Sequence, residues 1–166
     1  MNEQLKNIFD NVNYWLSFAE AKNGSILALG VVWVQILSDI TIFTRINCIV
    51  WHFSLFNCIL AMLVSLFSFF PLMGKVNLIK KQEVSKDLNL IFYRDIASIE
   101  SSDKYYHLFI DKYGCSKNED SIDLAKDYMY EIYINSKIAT NKYHMFQFSL
   151  FFQIVSVIAY FIFQFL

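Results

Sequence analysis

Three long stretches of the chain contain no charged residue. No Asp, Glu, Lys or Arg occurs in residues 23–38, 46–74 or 143–166. A helix needs about 20 predominantly apolar residues to cross the hydrocarbon core of a bilayer. The pattern therefore predicts transmembrane helices at about 23–39, 46–72 and 143–166. Because the first stretch is the shortest, two spans with an interfacial first helix are the alternative.

The segment 75–142, between the second and third predicted spans, has helical periodicity. Apolar residues recur at roughly helical spacing from Val76 to Ile91. Ser101 is predicted to be the N-cap of a short helix that ends at Gly114. Ser116 opens a capping box, and no residue typical of a helix end follows it before the third span. We therefore expect this last helix to continue into that span.

These patterns predict an all-α integral membrane protein with three transmembrane helices and a helical cytoplasmic layer between the second and third. The predicted segments are 1–74 (N-terminal helix and transmembrane hairpin), 75–142 (cytoplasmic helices) and 143–166 (third transmembrane helix). Composition agrees, since 56% of residues are hydrophobic and 17% charged. In soluble domains, about 45–50% of residues are apolar and about 25% are charged.

The basic residues predict the orientation. Of the fourteen Lys and Arg residues, eleven lie in 75–142, Lys6 and Lys22 precede the first span, and Arg45 alone lies in the hairpin. Lys and Arg are enriched on the cytoplasmic side of membrane proteins. The N-terminus and residues 75–142 are therefore predicted to be cytoplasmic, with the C-terminus on the far side.

The sequence contains no recognisable catalytic, metal or cofactor motif. His52, His107 and His144 share no ligand spacing, and neither a nucleophile elbow nor a Gly-rich phosphate loop occurs. Acidic pairs such as Glu119 and Asp120 fit a structural role at the start of a helix. We expect no enzyme activity, no metal and no cofactor.

Polar or small residues follow one face of each predicted span. These stripes either face one another inside a single bundle, or one of them lines a water-filled path at the centre of a homo-oligomer. The third stripe is the most regular and provides the pore-lining candidates. The stripes comprise Gly24, Ala28, Val31, Gln35 and Ser38 in the first span; Asn47, Ser54, Asn57, Ala61, Ser65 and Ser68 in the second; and Ser149, Gln153, Ser156, Tyr160 and Gln164 in the third.

Three short stretches together resemble a known family. They are Phe18–Leu29 (FAEAKNGSILAL), Asn89–Ala97 (NLIFYRDIA) and Ile138–Tyr143 (IATNKY). Their order resembles the transmembrane effectors of Pycsar-type bacterial antiphage systems and the related small membrane effectors of Hailong-type systems. The family-like positions are Glu20, Lys22, Asn89, Phe92, Lys142 and Tyr143.

The resemblance implies a membrane effector of abortive infection. Such a protein would form a homo-oligomer, with a tetramer as the working assumption, in the bilayer of the bacterial inner membrane, and its C-terminus would be periplasmic. A nucleotide or oligonucleotide from a partner nucleotidyltransferase would control a pore or channel. Pycsar effectors commonly carry a separate cyclic-nucleotide-binding domain, and no segment here is long enough for one. A non-conducting membrane anchor that recruits a cytoplasmic partner is the alternative.

Charged residues supply candidates for a gate and for binding the signal. An ion pair between Glu20 and Lys142, with Lys22 nearby, would latch the first span to the third, although lysines at the interface explain the pattern equally. An anionic signal would be attracted to Lys75, Lys80, Lys81, Lys86, Arg94, Lys137 and Lys142. Since eleven acidic residues balance the eleven basic ones of this segment, a solvated face or attraction to lipid headgroups is an equal explanation.

Overall fold

The computed structural model describes residues 2–39, 45–70, 88–114 and 119–165. Five helices form in these ranges and no strand does, so the all-α prediction is confirmed for the described part of the chain. The helices are α1 (Asn2–Ser38), α2 (Arg45–Phe67), α3 (Tyr93–Ser98), α4 (Ser102–Tyr113) and α5 (Glu119–Phe165).

Helices α1, α2 and α5 are each long and apolar enough to cross a membrane. The structure thus supports three candidate spans. Helices α1 and α5 have 37 and 47 residues, which makes them about 55 and about 70 Å long at 1.5 Å per residue. Both exceed the thickness of a bilayer. Helix α5 carries the polar segment into the third span without interruption, as the absence of a helix-ending residue predicted.

The chain divides into two compact units. The polar unit comprises residues 1–19 and 72–142, and the membrane unit comprises 20–71 and 143–166. Helices α1 and α5 each contribute residues to both units. The sequence had grouped residues 1–19 with the transmembrane hairpin, but they pack in the polar unit because one face of α1 is apolar there.

The polar unit has a hydrophobic core of the kind found in soluble domains. Leu5, Ile8 and Val12 recur at helical spacing on α1 and are at most 6% exposed. They pack in one cluster with Leu90, Ile96, Ile99, Tyr105, Phe109, Ala125, Met129, Ile132 and Tyr133. The two core tyrosines keep hydrogen bonds: the Tyr105 hydroxyl donates to the Leu90 carbonyl (3.1 Å) and that of Tyr133 to the Ile99 carbonyl (3.2 Å).

The predicted short helix is confirmed as α4. The Ser101 hydroxyl accepts a hydrogen bond from the backbone N–H of Lys104 at 3.2 Å, as an N-cap does. Gly114 ends the helix with φ of 78°, a conformation that favours glycine. The capping box at Ser116 lies partly outside the described residues.

The predicted helix that ends near Ile91 is not confirmed at its described end. Residues 88–92 form a turn instead, and α3 follows at Tyr93. The Asn89 side chain accepts from the backbone N–H of Ile91 (3.0 Å), and the Asn89 N–H donates to Asp95 (3.1 Å). Such side-chain hydrogen bonds compete with helix formation. The rest of the predicted helix, from Val76 onward, lies outside the described residues.

The membrane unit reverses the burial pattern of a soluble protein. Its large apolar side chains face outward, with Phe53, Phe56, Phe151 and Phe161 between 53% and 63% exposed. Its fully buried side chains include several polar ones: Asn23, Ser54, Ser65, Ser149, Gln153 and Ser156. An apolar exterior around a polar interior suits a lipid environment, where polar groups must be satisfied by neighbouring helices or water.

Candidate functional site: the polar seam of the membrane unit

The third-span stripe faces the interior of the membrane unit. Ser149, Gln153 and Ser156 are at most 2% exposed, and Tyr160 is half-buried. The side chain of Gln164 lies outside the described residues. The second-span stripe faces the same interior, since Ser54, Asn57, Ala61, Ser65 and Ser68 are at most 6% exposed. We call the buried polar residues of these two stripes the polar seam.

Ser156 joins all three spans at one end of the polar seam. Its hydroxyl donates to the Ser54 carbonyl (2.8 Å), and the Ser54 hydroxyl donates to the Ser156 carbonyl (2.8 Å). The Trp33 indole N–H donates to the Ser156 hydroxyl (3.1 Å). The Trp33 and Tyr160 rings pack edge to face, with their centres 5.2 Å apart. These contacts satisfy the buried hydroxyls, so this half of the seam holds the bundle together.

Gln153 and Ser149 lie about one and two turns before Ser156 on α5. They differ from Ser156 in their hydrogen bonding. The Gln153 side chain lies beside the Cys58 thiol. Among the described residues, however, neither its amide nitrogen nor its amide oxygen has a hydrogen bond of normal geometry. The hydroxyls of Ser149 and Ser65 also have no partner in the described part of the chain. A buried polar group left unsatisfied costs about 1–3 kcal/mol, so this half of the seam has unused hydrogen-bonding capacity.

The first-span stripe behaves differently from the other two. Ala28, Val31, Gln35 and Ser38 are exposed. The possibility that all three stripes face one another in one bundle is therefore wrong for the first. Helix α1 instead buries the face that contains Gly30, because α2 approaches closely there.

The close approach of α1 and α2 depends on Gly30. A methyl group at this position would overlap the Met62 side chain. The Cys58 thiol donates to the Gly30 carbonyl at 3.5 Å, and the Trp51 indole donates to the Leu37 carbonyl at 2.8 Å. In the sequence, Gly30 is the feature that marks this face of α1. The spacing of small residues does not distinguish Gly30 from Gly24.

Of the gate candidates, the structure brings Lys22 to the third span. Its ammonium group lies 5.2 Å from the centres of the Tyr143 and Phe146 rings, within cation–π range. Glu20 is exposed and belongs to the membrane unit, whereas Lys142 is 8% exposed and belongs to the polar unit. The Glu20–Lys142 pair stays a prediction. Sequence reasoning missed Phe146, which follows Tyr143 by three residues on the same helix face.

The described candidates for binding an anionic signal have three different environments. Arg94 is exposed, the Lys137 ammonium lies 4.5 Å from the centre of the Tyr133 ring, and Lys142 is nearly buried. The other four candidates, Lys75, Lys80, Lys81 and Lys86, lie outside the described residues. The basic residues therefore stay candidates for attracting a ligand.

A comparison with models of known protein families identifies the family of this chain. The model of the PycTM family, the Pycsar effector protein domain, matches residues 4–166. The chain belongs to the Pycsar effector family. The match extends over all three candidate spans, in α1, α2 and α5, and it confirms the predicted resemblance to Pycsar-type membrane effectors. As a Pycsar effector, the chain is a membrane effector of antiphage defence, a class that is generally not catalytic. No curated protein and no solved structure matches it.

Proposed function

We propose that the chain forms a homo-oligomeric pore or channel that disrupts the bacterial inner membrane during phage infection. A nucleotide or oligonucleotide made by a partner nucleotidyltransferase controls it. The observation that carries this proposal is the unpaired half of the polar seam, where the side chains of Gln153, Ser149 and Ser65 are buried without hydrogen bonds in the described chain. Side chains used only for packing in lipid do not need this polarity.

In this proposal the described conformation is that of a closed protomer. Three helices enclose no aqueous path, so conduction requires several copies around a common axis. Opening would turn or separate the spans so that Gln153 and Ser149 meet water along that axis. The exposed first-span stripe supports self-association, because Gln35 in this stripe gains a polar partner when a second helix packs against it.

The orientation of the proposed pore follows from the basic residues. With residues 1–19 and 75–142 cytoplasmic and the C-terminus periplasmic, the start of the third span lies near the cytoplasmic face. Lys22 contacts Tyr143 there. This contact, together with the predicted Glu20–Lys142 pair, is the place where a cytoplasmic signal would act on the spans.

A non-conducting membrane anchor that recruits a cytoplasmic partner is the second candidate function. The satisfied half of the seam favours it, since the hydrogen bonds of Ser156 with Ser54 and Trp33 are those of a stable bundle within one chain. An anchor does not need the unpaired amide of Gln153.

Ion flux distinguishes the two functions. Bacteria would express the full chain together with its proposed partner nucleotidyltransferase, and a potential-sensitive dye would report depolarisation after phage infection. We expect the double variant Gln153→Leu and Gln164→Leu to reach the membrane and assemble normally but to lose depolarisation. Gln147→Leu is the matched control, because Gln147 is exposed on the same helix, and it should depolarise as the wild type does.

Two results would contradict the pore. Undiminished depolarisation in the double variant would show that the third-span stripe does not line the path. Phage protection by the wild type without any change in potential would instead support the membrane anchor.

A further inference from the structure

A cavity of about 310 Å³ lies inside the polar unit, between the start of α1 and the end of α4. Three amide side chains, spaced three and four residues apart on one face of α1, form one part of its lining. Apolar and aromatic side chains form the rest. The lining residues are Gln4, Asn7 and Asn11, with Ile8, Ile91, Phe109 and Tyr113. We call this cavity the amide pocket.

The three amides are available to a ligand. Gln4, Asn7 and Asn11 are exposed, and their side chains make no hydrogen bond within the described part of the chain. Asn13, on another face of α1, instead accepts a hydrogen bond from the Asn135 amide at 2.9 Å. Each primary amide offers an acceptor oxygen and two donor hydrogens. The pocket therefore presents donors and acceptors side by side without a formal charge.

The residues of α4 that line the amide pocket include a ring for stacking. Phe109 is part of the core at 2% exposed, whereas Tyr113 is 45% exposed, and their ring centres are 4.8 Å apart. The Lys112 ammonium lies 5.9 Å from the centre of the Tyr113 ring. It also donates to the Leu88 carbonyl at 2.9 Å. A planar ligand stacked on Tyr113 would thus have a positive charge close to it.

We propose that the amide pocket binds the heterocyclic base of a nucleotide. The edge of a base carries adjacent donors and acceptors that match amides, its face stacks on Tyr113, and Lys112 favours the attached phosphate. A base stacks favourably on an aromatic side chain whatever its identity, because every base has a π-face. The volume of about 310 Å³ is at the small end of ligand sites and suits one base rather than an oligonucleotide. This inference rests on the proposed function only in taking the signal to be a nucleotide.

Another cavity among the described residues of the polar unit, called here the second cavity, suits an anionic ligand less well. It lies between α4 and α5, and its lining includes two carboxylates, Asp103 and Asp127. Its lysine, Lys126, is placed over the Tyr106 ring at 5.8 Å from the ring centre. The carboxylates would repel a phosphate. Tyr130 also lines this cavity and is 54% exposed, which makes it a matched control for Tyr113.

The test measures nucleotide binding to the full chain in detergent by isothermal titration calorimetry. The probes are the 3′,5′-cyclic mononucleotide and the trinucleotide of each of the four RNA bases. We expect at least one probe to bind the wild type, and Tyr113→Leu and Asn7→Leu each to weaken that binding tenfold or more. Tyr130→Leu should leave it unchanged. Because Asn7 and Tyr113 are exposed, both variants should keep the wild-type circular dichroism spectrum.

The outcomes separate the pocket from the proposed function. If a probe binds the wild type and both pocket variants equally, the amide pocket is overturned while a nucleotide signal stands. If Tyr130→Leu alone weakens binding, the ligand occupies the second cavity and the amide pocket is again overturned. If no probe binds the wild type, the nucleotide signal fails and the pocket assignment fails with it. Pocket-dependent binding without phage-induced depolarisation would uphold the pocket and refute the pore.

Discussion

Two substitutions in the polar seam are expected to change stability in opposite directions. Gln153→Leu replaces a buried amide, which has no hydrogen bond in the described structure, by an apolar side chain of similar size. Ser156→Ala, three residues further along α5, removes a hydroxyl that accepts from Trp33 and donates to Ser54. The first change should raise the free energy of unfolding and the second should lower it.

The expected magnitudes follow from the contacts. Hydrogen bonds between transmembrane helices contribute about 0.6 kcal/mol each on average. Ser156→Ala loses two of them and leaves the Trp33 N–H unpaired, so we expect a loss of about 1–2 kcal/mol. An unsatisfied buried polar group costs about 1–3 kcal/mol in soluble proteins. Allowing for polar partners in the unfolded state in a membrane, Gln153→Leu should gain about 1 kcal/mol.

Unfolding by sodium dodecyl sulfate in mixed micelles, followed by tryptophan fluorescence, measures both changes in the free energy of unfolding. Gln147→Leu serves as the control, because Gln147 is exposed on the same helix and should change stability by less than about 0.5 kcal/mol. If Gln153→Leu destabilises the protein as much as Ser156→Ala does, Gln153 holds a hydrogen bond. The unpaired half of the seam would then not exist, and the main support for the pore would be lost.

Two further predictions concern packing and pH. Gly30→Ala should destabilise the membrane unit by about 1–2 kcal/mol in the same unfolding assay, because its methyl group overlaps Met62. Adding Met62→Ala should relieve the effect of Gly30→Ala, and Gly24→Ala should be neutral or stabilising. Burial raises the pKa of Tyr105 above its usual value, so the folded protein holds this proton more tightly than the unfolded one. The contribution of Tyr105 to the free energy of unfolding is therefore complete below the ordinary tyrosine pKa of about 10 and falls as the pH rises above it. Tyr105→Phe should make the alkaline loss of stability less steep in unfolding measurements at high pH.

The helices were largely predictable because their signals are local. Charge-free stretches located the spans, the cap at Ser101 and the stop at Gly114 bounded α4, and the lack of a stop after Ser116 predicted the continuous α5. The turn at Asn89 was missed, since the apolar spacing around it is helical while its own side chain holds the turn. Periodicity does not detect such a competing hydrogen bond.

The direction of each polar stripe was less predictable than its presence. Ser54 and Ser156 face each other, whereas Ala28 and Gln35 point outward, although all four follow stripes of similar spacing. The difference comes from the packing of α1 on α2 at Gly30, which involves residues far apart in sequence. For the same reason, periodicity did not reveal the amide pocket, because it combines residues near the start of α1 with residues at the end of α4.

The division of the polar seam into two halves constrains how the proposed pore opens. Separating the spans at Ser156 breaks its hydrogen bonds to Ser54 and Trp33, whereas separating them at Gln153 or Ser149 breaks none that the described structure contains. Separation at Gln153 and Ser149 therefore breaks fewer of the described hydrogen bonds than separation at Ser156 does. Gln153 and Ser149 lie toward the start of the third span, where Lys22 contacts Tyr143. This is also the end predicted to face the cytoplasm. A signal acting there would hydrate Gln153 first, and the Ser156 contacts would keep the far ends of the spans together while it did so.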